Sequence, residues 1–255
     1  MKLFDLAGEV AIVTGSSRGI GRAIAERLAE HGARVVVSSR TADACVAVAT
    51  AINNVHGVGK ATALAANISS KEDLRSLVDR THHALGRVSI LICNAASNPY
   101  YGPMDGITDE QFRKILDNNI LSNHWLMQMV APQMIEARRG AMVIISSNAA
   151  LRATPMIGAY TVAKAADMQL ARTLALEWGK HNIRVNCIAP GLVQTDFARR
   201  LWEDPQALAK ATGGWPLARI GSPDEIAGVA VFLASEAARY VTGQTIVADG
   251  GSSIV

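Results

Sequence analysis

Short runs of β-branched and other apolar residues alternate along this chain with longer segments of helical pattern. The runs at 9–15 and 33–40 contain few polar side chains, as is typical of strands that are covered on both faces. The segments between such runs carry apolar residues at helical spacing and end at glycine, as 19–31 does at Gly32. Strands that alternate with helices form parallel sheets, so the pattern predicts an α/β fold.

The same pattern continues over the whole length of the chain and predicts about seven strands and six or seven helices. The predicted strands are 9–15, 33–40, 61–66, 87–96, 141–147, 182–190 and 244–249, and the predicted helices are 19–31, 42–55, 71–85, about 109–137, 158–180 and one that follows Ser222. We interpret residues 1–255 as a single Rossmann-type domain, a doubly wound parallel sheet with helices on both faces. The weakly patterned segment 191–217 is long for a connection, and we expect it to be a substrate lid.

Composition and charge exclude several classes of protein. The formal charge is only +3, from 25 basic and 22 acidic residues, which predicts no nucleic-acid partner. No apolar run approaches the ~20 residues that span a bilayer, so no membrane partner is expected. The three cysteines lie far apart and the six histidines show no metal-ligand spacing, which predicts free thiols and no metal. Without a signal-like start or a peroxisomal tail, the expected location is the cytoplasm.

The first predicted strand leads into a glycine-rich turn, TGSSRGIG at 14–21, and then into a helix. Glycines permit a tight turn, and a helix N-terminus offers free N–H groups to a pyrophosphate. The spacing is G-x-x-x-G-x-G, which is neither the usual G-x-G-x-x-G nor a Walker loop. A plain strand-to-helix turn would look the same, but the position on the first strand favours a dinucleotide site. The predicted contacts in this turn are Gly15, Ser17, Arg18, Gly19, Ile20 and Gly21.

The end of the second strand indicates which dinucleotide binds. NAD-binding proteins usually place an acidic residue there, whereas this strand ends in Ser38, Ser39 and Arg40. Together with Arg18 in the turn, Ser39 and Arg40 are suited to a ribose 2′-phosphate, because guanidinium groups bind phosphate through two hydrogen bonds. Both arginines would also be ordinary as surface residues. The prediction is NADP(H) in preference to NAD(H).

Tyr160 and Lys164 are four residues apart on a predicted helix and share one face of it. A phenol needs a nearby positive charge to act as an acid or base near neutral pH, and a lysine ammonium provides one. Ser147 ends the preceding strand, where its hydroxyl can bind a substrate oxygen. Each of these residues alone would be unremarkable on a helix face or at a turn.

In these motifs together, the chain resembles the short-chain dehydrogenase/reductase family over essentially its whole length. The matching pieces are 14–21, CNAA at 93–96, Asn119, Ser147, Tyr160 with Lys164, Pro190-Gly191 with Thr195, 223–235 and 241–251. The stretches 35–40, 94–99, 146–150 and 182–202 are most similar to NADPH-dependent carbonyl and retinal reductases of the peroxisomal dehydrogenase/reductase type.

The resemblance implies a catalytic tetrad. Asn119 would hold a water that connects Lys164 to solvent, and Ser147 would position a carbonyl group. Tyr160 would be the acid or base, and Lys164 would also bind the nicotinamide ribose. Asn118 precedes Asn119 directly, so a register one residue earlier stays open.

The resemblance also implies further cofactor contacts, with two departures from the family pattern. The usual N-N-A-G is Cys93-Asn94-Ala95-Ala96 here, and the usual aspartate at the adenine is Asn67. The implied contacts are Asn67, Ile68, Asn94, Ala95, Tyr160, Lys164, Pro190, Gly191, Val193 and Thr195.

The function implied is NADPH-dependent reduction of a carbonyl group, reversible to oxidation of the alcohol. The aromatic residues Phe197, Trp202 and Trp215 in the lid segment favour an apolar or aromatic small-molecule substrate. A 3-oxoacyl-thioester reductase and a sugar-alcohol dehydrogenase are alternatives with the same tetrad. A nucleotide-sensing binding scaffold is the non-enzymatic alternative. The resemblance further implies a homotetramer.

Overall fold

The computed structural model describes residues 2–255, which are built around one sheet of seven parallel strands. The strands are β1 (Val10–Thr14), β2 (Arg34–Ser38), β3 (Ala61–Ala63), β4 (Ile90–Cys93), β5 (Gly140–Ile145), β6 (Ile183–Pro190) and β7 (Thr245–Ala248). Their order in the sheet is β3-β2-β1-β4-β5-β6-β7, and every neighbouring pair is parallel. The predicted seven-stranded Rossmann-type sheet is confirmed.

The order of the strands reverses between β1 and β4. In β1, Ile12 pairs with Val36 of β2 on one side and with Leu91 of β4 on the other. The connections that follow these two strands therefore leave in opposite directions and open a crevice at the carboxyl ends. Ligands of open α/β sheets bind in such a crevice.

Helices cover both faces of the sheet, as predicted. They are α1 (Gly19–Glu30), α2 (Ala42–His56), α3 (Lys71–Leu85), α4 (Asp109–Leu116), α5 (Ser122–Ala137), α6 (Gly158–Trp178), α7 (Pro205–Thr212) and α8 (Pro223–Ala234). One apolar cluster packs α1, α2 and α8 on the sheet through side chains such as Ile24, Ile52 and Val231. The other packs α3, α5 and α6 on the opposite face through Leu77, Met127 and Leu174. Among residues 2–255, no helix combines the length and the apolar character needed to cross a membrane.

The predicted helix at 109–137 is instead two helices, α4 and α5, joined by a π-helical turn at Asp117–Leu121. Side chains bind the carbonyl groups that this turn frees: the Ser122 hydroxyl donates to Asn118 O at 2.8 Å, and Asn123 Nδ2 donates to Asn119 O at 2.6 Å. Periodicity along the sequence does not register one extra residue per turn, and the turn also depends on tertiary bonds from the side chains of Asn118 and Asn119 to Ser97. Such turns are frequent at functional sites.

Two other segments differ from their sequence-based bounds. The strand predicted at 87–96 pairs only over Ile90–Cys93, because the residues after it turn toward β1. The segment 191–217 contains a short 3₁₀ turn, Asp196–Leu201, and α7.

Candidate active site

The turn after β1 is packed tightly against the end of β4, and glycine makes that approach possible. Gly15 and Gly19 have positive φ angles of +65° and +55°, which favour glycine. A Cβ on Gly15 would lie 2.9 Å from the Cα of Ala95, and one on Gly21 would overlap Asn94 Nδ2 and the Gly15 carbonyl oxygen. These glycines therefore bring α1 and β4 together at the crevice.

Hydrogen bonds from side chains hold the turn after β1 against the end of β4. Asn94 Nδ2 donates to the carbonyl oxygens of Thr14 at 2.9 Å and of Gly15 at 3.2 Å. The hydroxyl oxygen of Thr14 accepts from the backbone N–H groups of Asn94 at 3.0 Å and of Ala95 at 3.1 Å. The amide nitrogen of Asn94 is thus committed to the turn, and its Oδ1 is the polar atom left for a ligand.

The N-terminus of α1 has the features of an anion site. Its N-cap, Arg18, is extended, with φ −163°, and its exposed side chain caps no N–H group within residues 2–255. Ser17 and Ile20 are partly exposed on the same turn. The free N–H groups and the helix dipole together favour a phosphate.

Arg40, at the end of β2, is exposed like Arg18, and neither guanidinium forms an ion pair with a carboxylate of residues 2–255. The hydroxyl of Ser39, the residue before Arg40, lies 3.1 Å from Cys45 Sγ and accepts from the Thr41 N–H at 3.3 Å. Two uncommitted cations beside a free helix N-terminus fit a dinucleotide that carries an additional phosphate.

Asn67 and Ile68 follow β3 at the same edge of the sheet. Asn67 Oδ1 accepts from the Ser69 N–H at 3.1 Å, and the Asn67 N–H donates to Asp73 Oδ2 at 3.0 Å. Ile68 packs against the apolar cluster under α3 and α5. The side-chain oxygen of Asn67 belongs to its own turn, which leaves its NH₂ group for an adenine.

The loop after β6 reaches across to α1. Pro190 ends β6, and a Cβ on Gly191 would lie 2.7 Å from Asp249 Cβ, so the loop needs glycine there. Val193 is buried and pairs with Gly221. A Cβ on Gly19 would lie 3.3 Å from the Thr195 methyl group. The glycine turn and the post-β6 loop border a cavity of about 320 Å³.

Tyr160 and Lys164 lie on one face of α6, beside the carboxyl end of β5. Lys164 Nζ is 5.8 Å from the centre of the Tyr160 ring. The ammonium is buried and donates to the carbonyl oxygen of Ile145 at 2.8 Å and to Asp167 Oδ2 at 3.1 Å. The Ser146 hydroxyl donates to Lys164 O at 2.7 Å and ties α6 to the end of β5. An ammonium has three donors, so one remains for a ligand or the phenol.

Burial and charge act against one another on these groups. Burial raises the pKa of the Tyr160 phenol above its ordinary value; the Lys164 ammonium opposes the shift and the Asp167 carboxylate adds to it. Burial is the largest single effect and would lower the pKa of Lys164, but Asp167 and Tyr160 together reverse it and the net shift is upward. Burial also raises the pKa of Asp167, against the opposing effect of Lys164. Lys164 therefore carries its charge in a site that excludes water.

Ser147 follows β5 and is partly exposed. Its hydroxyl oxygen accepts from the Ala149 N–H at 3.2 Å and caps the short 3₁₀ turn Asn148–Leu151. The hydroxyl proton of Ser147 is left for an acceptor in the cleft.

Asn119 is fully buried in the π-helical turn. It is linked to Lys164 only through other side chains. Its Nδ2 donates to Ser97 O at 2.8 Å and to Ile115 O at 2.7 Å, which supports the loop after β4. The neighbouring Asn118 is engaged on the same loop, where its Nδ2 donates to Ser97 Oγ at 2.9 Å. Neither amide is free for substrate, whichever register applies.

Sequence reasoning missed two residues at this site, Asn123 and Asp167. Asn123 Nδ2 donates to Asn119 O at 2.6 Å and to Asp167 Oδ1 at 3.0 Å, and Asp167 in turn binds Lys164. The available signal was a carboxylate three residues after Lys164, on the face of α6 that also carries Ala163, Ala171 and Leu174. A charge on that apolar face requires a partner.

One aromatic residue of the segment 191–217 lies beside the Tyr160 ring. The rings of Phe197 and Tyr160 lie 6.2 Å apart, centre to centre. Trp202 Nε1 donates to Thr195 O at 3.0 Å, which fixes the 3₁₀ turn to the end of the post-β6 loop. Among residues 2–255, no three metal-ligating side chains come together.

Comparison with known proteins identifies the family. Residues 15–253 match a family model described as enoyl-(acyl carrier protein) reductase. The chain is 43% identical to dehydrogenase/reductase SDR family member 4 of Bos taurus over 248 residues, which covers 97% of this chain and 88% of that protein.

Solved structures agree with this relationship. A 7α-hydroxysteroid dehydrogenase in complex with NADH and 7-oxo glycochenodeoxycholic acid has 38% identity and a TM-score of 0.92, over 97% of this chain and 95% of that one. A gluconate 5-dehydrogenase from Burkholderia cenocepacia in complex with NADP and tartrate has 30% identity and a TM-score of 0.94, over 100% and 98%. The chain belongs to the short-chain dehydrogenase/reductase family of NAD(P)(H)-dependent oxidoreductases, and carbonyl reduction fits it.

Proposed function

We propose that this protein is an NADPH-dependent reductase of ketones or aldehydes, with Tyr160 as its proton donor. The observation that carries the proposal is the pairing of Tyr160 with the buried Lys164 ammonium, 5.8 Å from the ring centre, at the crevice beside the glycine turn. The bound dinucleotide supplies the hydride. Tyr160 gives its phenolic proton to the carbonyl oxygen as the carbon gains that hydride, and the product is an alcohol.

Lys164 and Ser147 support that transfer. The ammonium stabilises the phenolate that Tyr160 becomes, and its remaining donor is available to the nicotinamide ribose. The Ser147 hydroxyl donates to the carbonyl oxygen and holds it beside the phenol. Asn119 contributes through its backbone carbonyl, which accepts from Asn123.

The preference for NADPH rests on Arg18 and Arg40. Both are exposed and unpaired with carboxylates of residues 2–255, and Ser39 adds a hydroxyl nearby. One structural relative holds NADH and another holds NADP, so the family alone does not decide the dinucleotide. The guanidinium of Arg18 lies in the glycine turn, that of Arg40 follows β2, and β2 does not end in a carboxylate. This combination favours the 2′-phosphate.

The substrate we propose is an apolar or aromatic carbonyl compound. The Phe197 ring lies beside that of Tyr160, and Leu201, on the same 3₁₀ turn as Phe197, is exposed. Apolar side chains on a segment that covers the cleft are suited to a substrate of the same kind. The matched family model and the gluconate 5-dehydrogenase also support two alternatives, reduction of the 3-oxo group of an acyl thioester and oxidation of a sugar acid or polyol.

The experiment is a screen of NADPH oxidation with aromatic ketones and acetoacetyl thioesters, and of NADP⁺ reduction with polyols, on the wild type and on Tyr160→Phe. We expect turnover with the ketones and a loss of 10²–10⁴-fold in kcat/KM in the variant. The dissociation constant of NADPH should stay within about twofold, since the phenol is not its main anchor.

Three results would argue against parts of the proposal. Near wild-type turnover in Tyr160→Phe would refute the mechanism. Tight NADPH binding without turnover on any substrate would favour the binding scaffold. Faster turnover with thioesters or polyols would replace the substrate class only.

We also propose a homotetramer in the cytoplasm. Exposed apolar side chains support assembly: Val162 and Leu176 lie on α6, and Val247 and Ile254 lie in and after β7. Three buried free cysteines are typical of a reducing compartment. A solution mass equal to that of one chain would contradict the assembly.

A further inference from the structure

Buried polar side chains connect the π-helical turn to the catalytic helix without a break. Starting at Asn119 O, the bonds run to Asn123 Nδ2 at 2.6 Å, from Asn123 Nδ2 to Asp167 Oδ1 at 3.0 Å, and from Asp167 Oδ2 to Lys164 Nζ at 3.1 Å. All four residues are at most 4% exposed. A carboxylate in such a place is costly unless it is paired, and here both of its oxygens are bonded.

Hydrogen bonds hold both Lys164 and Asp167 in fixed positions. Asp167 and the Ile145 carbonyl take two of the three donors of the Lys164 ammonium. Asn123 holds the other oxygen of Asp167 and so prevents the carboxylate from turning away. The direction of the third donor of Lys164 therefore depends on Asp167.

We propose that Asp167 is a positioning residue for Lys164: with Asn123 it anchors the ammonium to the turn that carries Asn119, and it balances the ammonium charge beside Tyr160. The inference deepens the proposed function and rests on it for the role of Tyr160. Asp167 itself touches no reacting atom.

A consequence concerns the pH range of carbonyl reduction. The ionisable groups around Asp167 are Tyr160 and Lys164 on its own helix, Cys93 on β4 and Cys187 on β6. Burial raises the pKa of both thiols, so they stay neutral. The charge of Asp167 raises the pKa of both Tyr160 and Lys164. Asp167 thus keeps the proton donor protonated to higher pH, and the alkaline limit of reduction rises with it.

The test is Asp167→Asn, which keeps the size of the side chain and removes its charge. We expect kcat for carbonyl reduction to fall about tenfold and its alkaline limit to move down by about one pH unit. Asp167→Glu, which keeps the charge, should retain the alkaline limit even where the displaced ammonium lowers kcat. The matched control is Asn186→Ala on β6, a buried amide bonded to Val241 O and to the Gln244 N–H, which should leave the alkaline limit unchanged.

A second readout needs no substrate. Ultraviolet titration of the phenol, with Tyr160→Phe subtracted, gives the ionisation midpoint of Tyr160 directly. We expect a lower midpoint in Asp167→Asn than in the wild type. If the wild type reduces no carbonyl compound, the proposed function fails, while this titration still decides the role of Asp167.

If a folded Asp167→Asn variant kept the alkaline limit and the phenol midpoint of the wild type, the proposal would be overturned. Should that variant not fold, the double variant K164M/D167N leaves neither charge unpaired and takes its place. Asp167 offsets only part of the effect of the ammonium on the phenol, so the phenol midpoint of the double variant should lie below that of Lys164→Met, which keeps the carboxylate. Equal phenol midpoints in the double variant and in Lys164→Met would mean that the carboxylate does not act on Tyr160, and the proposal would be wrong.

Discussion

The nucleotide side of the crevice, from β1 to β4, presents backbone N–H groups and exposed guanidiniums, whereas the catalytic side, at β5 and α6, keeps its charges out of water. Arg18 and Arg40 stand uncommitted at the surface, while Lys164 and Asp167 are bonded to each other in the interior. Exposed charges are available to a ligand and contribute little to folding. Buried charges have fixed positions, and removing one of them endangers the fold. The two sides should therefore respond differently to the same kind of substitution.

The largest effect is expected on the catalytic side, from Lys164→Met. The substitution leaves Asp167 buried without its ion-pair partner, and the free energy of unfolding should fall by about 3–5 kcal/mol. K164M/D167N, which contains neither charge, should recover a large part of that loss. Urea unfolding of the wild type and both variants measures it, and a single variant as stable as the wild type would contradict the buried pair.

The next effect tests the junction between the turn and β4, through Gly21→Ala. A Cβ there would overlap Asn94 Nδ2 and the Gly15 carbonyl oxygen, so we expect a loss of about 1–3 kcal/mol in unfolding free energy. NADPH binding should weaken with it, because the turn moves. Gly228→Ala in α8 is the matched control: a Cβ there meets open space, and alanine favours the helix. Equal stability of the two variants would show that the junction tolerates a side chain.

Arg40→Ser separates ligand affinity from stability on the nucleotide side. We expect NADPH to bind about 10- to 100-fold more weakly, or about 1.4–2.7 kcal/mol, with NADH affinity unchanged. Unfolding free energy should stay the same, since the guanidinium is exposed. Arg34→Ser, at the other end of β2, is the control and should change neither affinity. Calorimetric titration with both dinucleotides measures the difference; equal losses for NADH and NADPH would exclude a 2′-phosphate contact.

The smallest effect is expected from Asp224→Asn. Asp224 on α8 accepts from Arg27 of α1 through both oxygens, at 2.7 and 2.6 Å, which lowers the pKa of the carboxyl group. A carboxyl group whose pKa is lower in the folded chain than in the unfolded chain stabilises the fold at pH values above its ordinary pKa. That contribution is lost as the pH falls through the lowered pKa. Because the pair is exposed, we expect Asp224→Asn to lower the free energy of unfolding by about 0.5 kcal/mol at neutral pH. In acid we expect no difference from the wild type. Thermal unfolding at both pH values measures it; a difference that grows in acid would contradict the sign.

Much of the fold was predictable because its signals are local. Parallel strands buried on both faces have no alternation of polar residues, so 9–15 and 33–40 were evident as strands. The helices α2 and α3 begin and end within a residue of the predicted bounds. The glycine turn was evident as well, but its physical reason was only partly foreseen: Gly15 and Gly21 are required by the approach of Ala95 and Asn94.

The sequence alone determined the α/β class, the family, and the identity of Tyr160, Lys164 and the two arginines as candidates. These signals depend on residues that are close together in the sequence: the periodicity of strands and helices, the types of the reactive residues and the short spacings between them. They can therefore be recognised without the structure. The tertiary structure decided the π-helical turn and the buried path from Asn119 through Asn123 and Asp167 to Lys164. Hydrogen bonds between residues 44 positions apart, such as that of Asn123 with Asp167, leave no periodic trace, because they form only when α5 and α6 pack together.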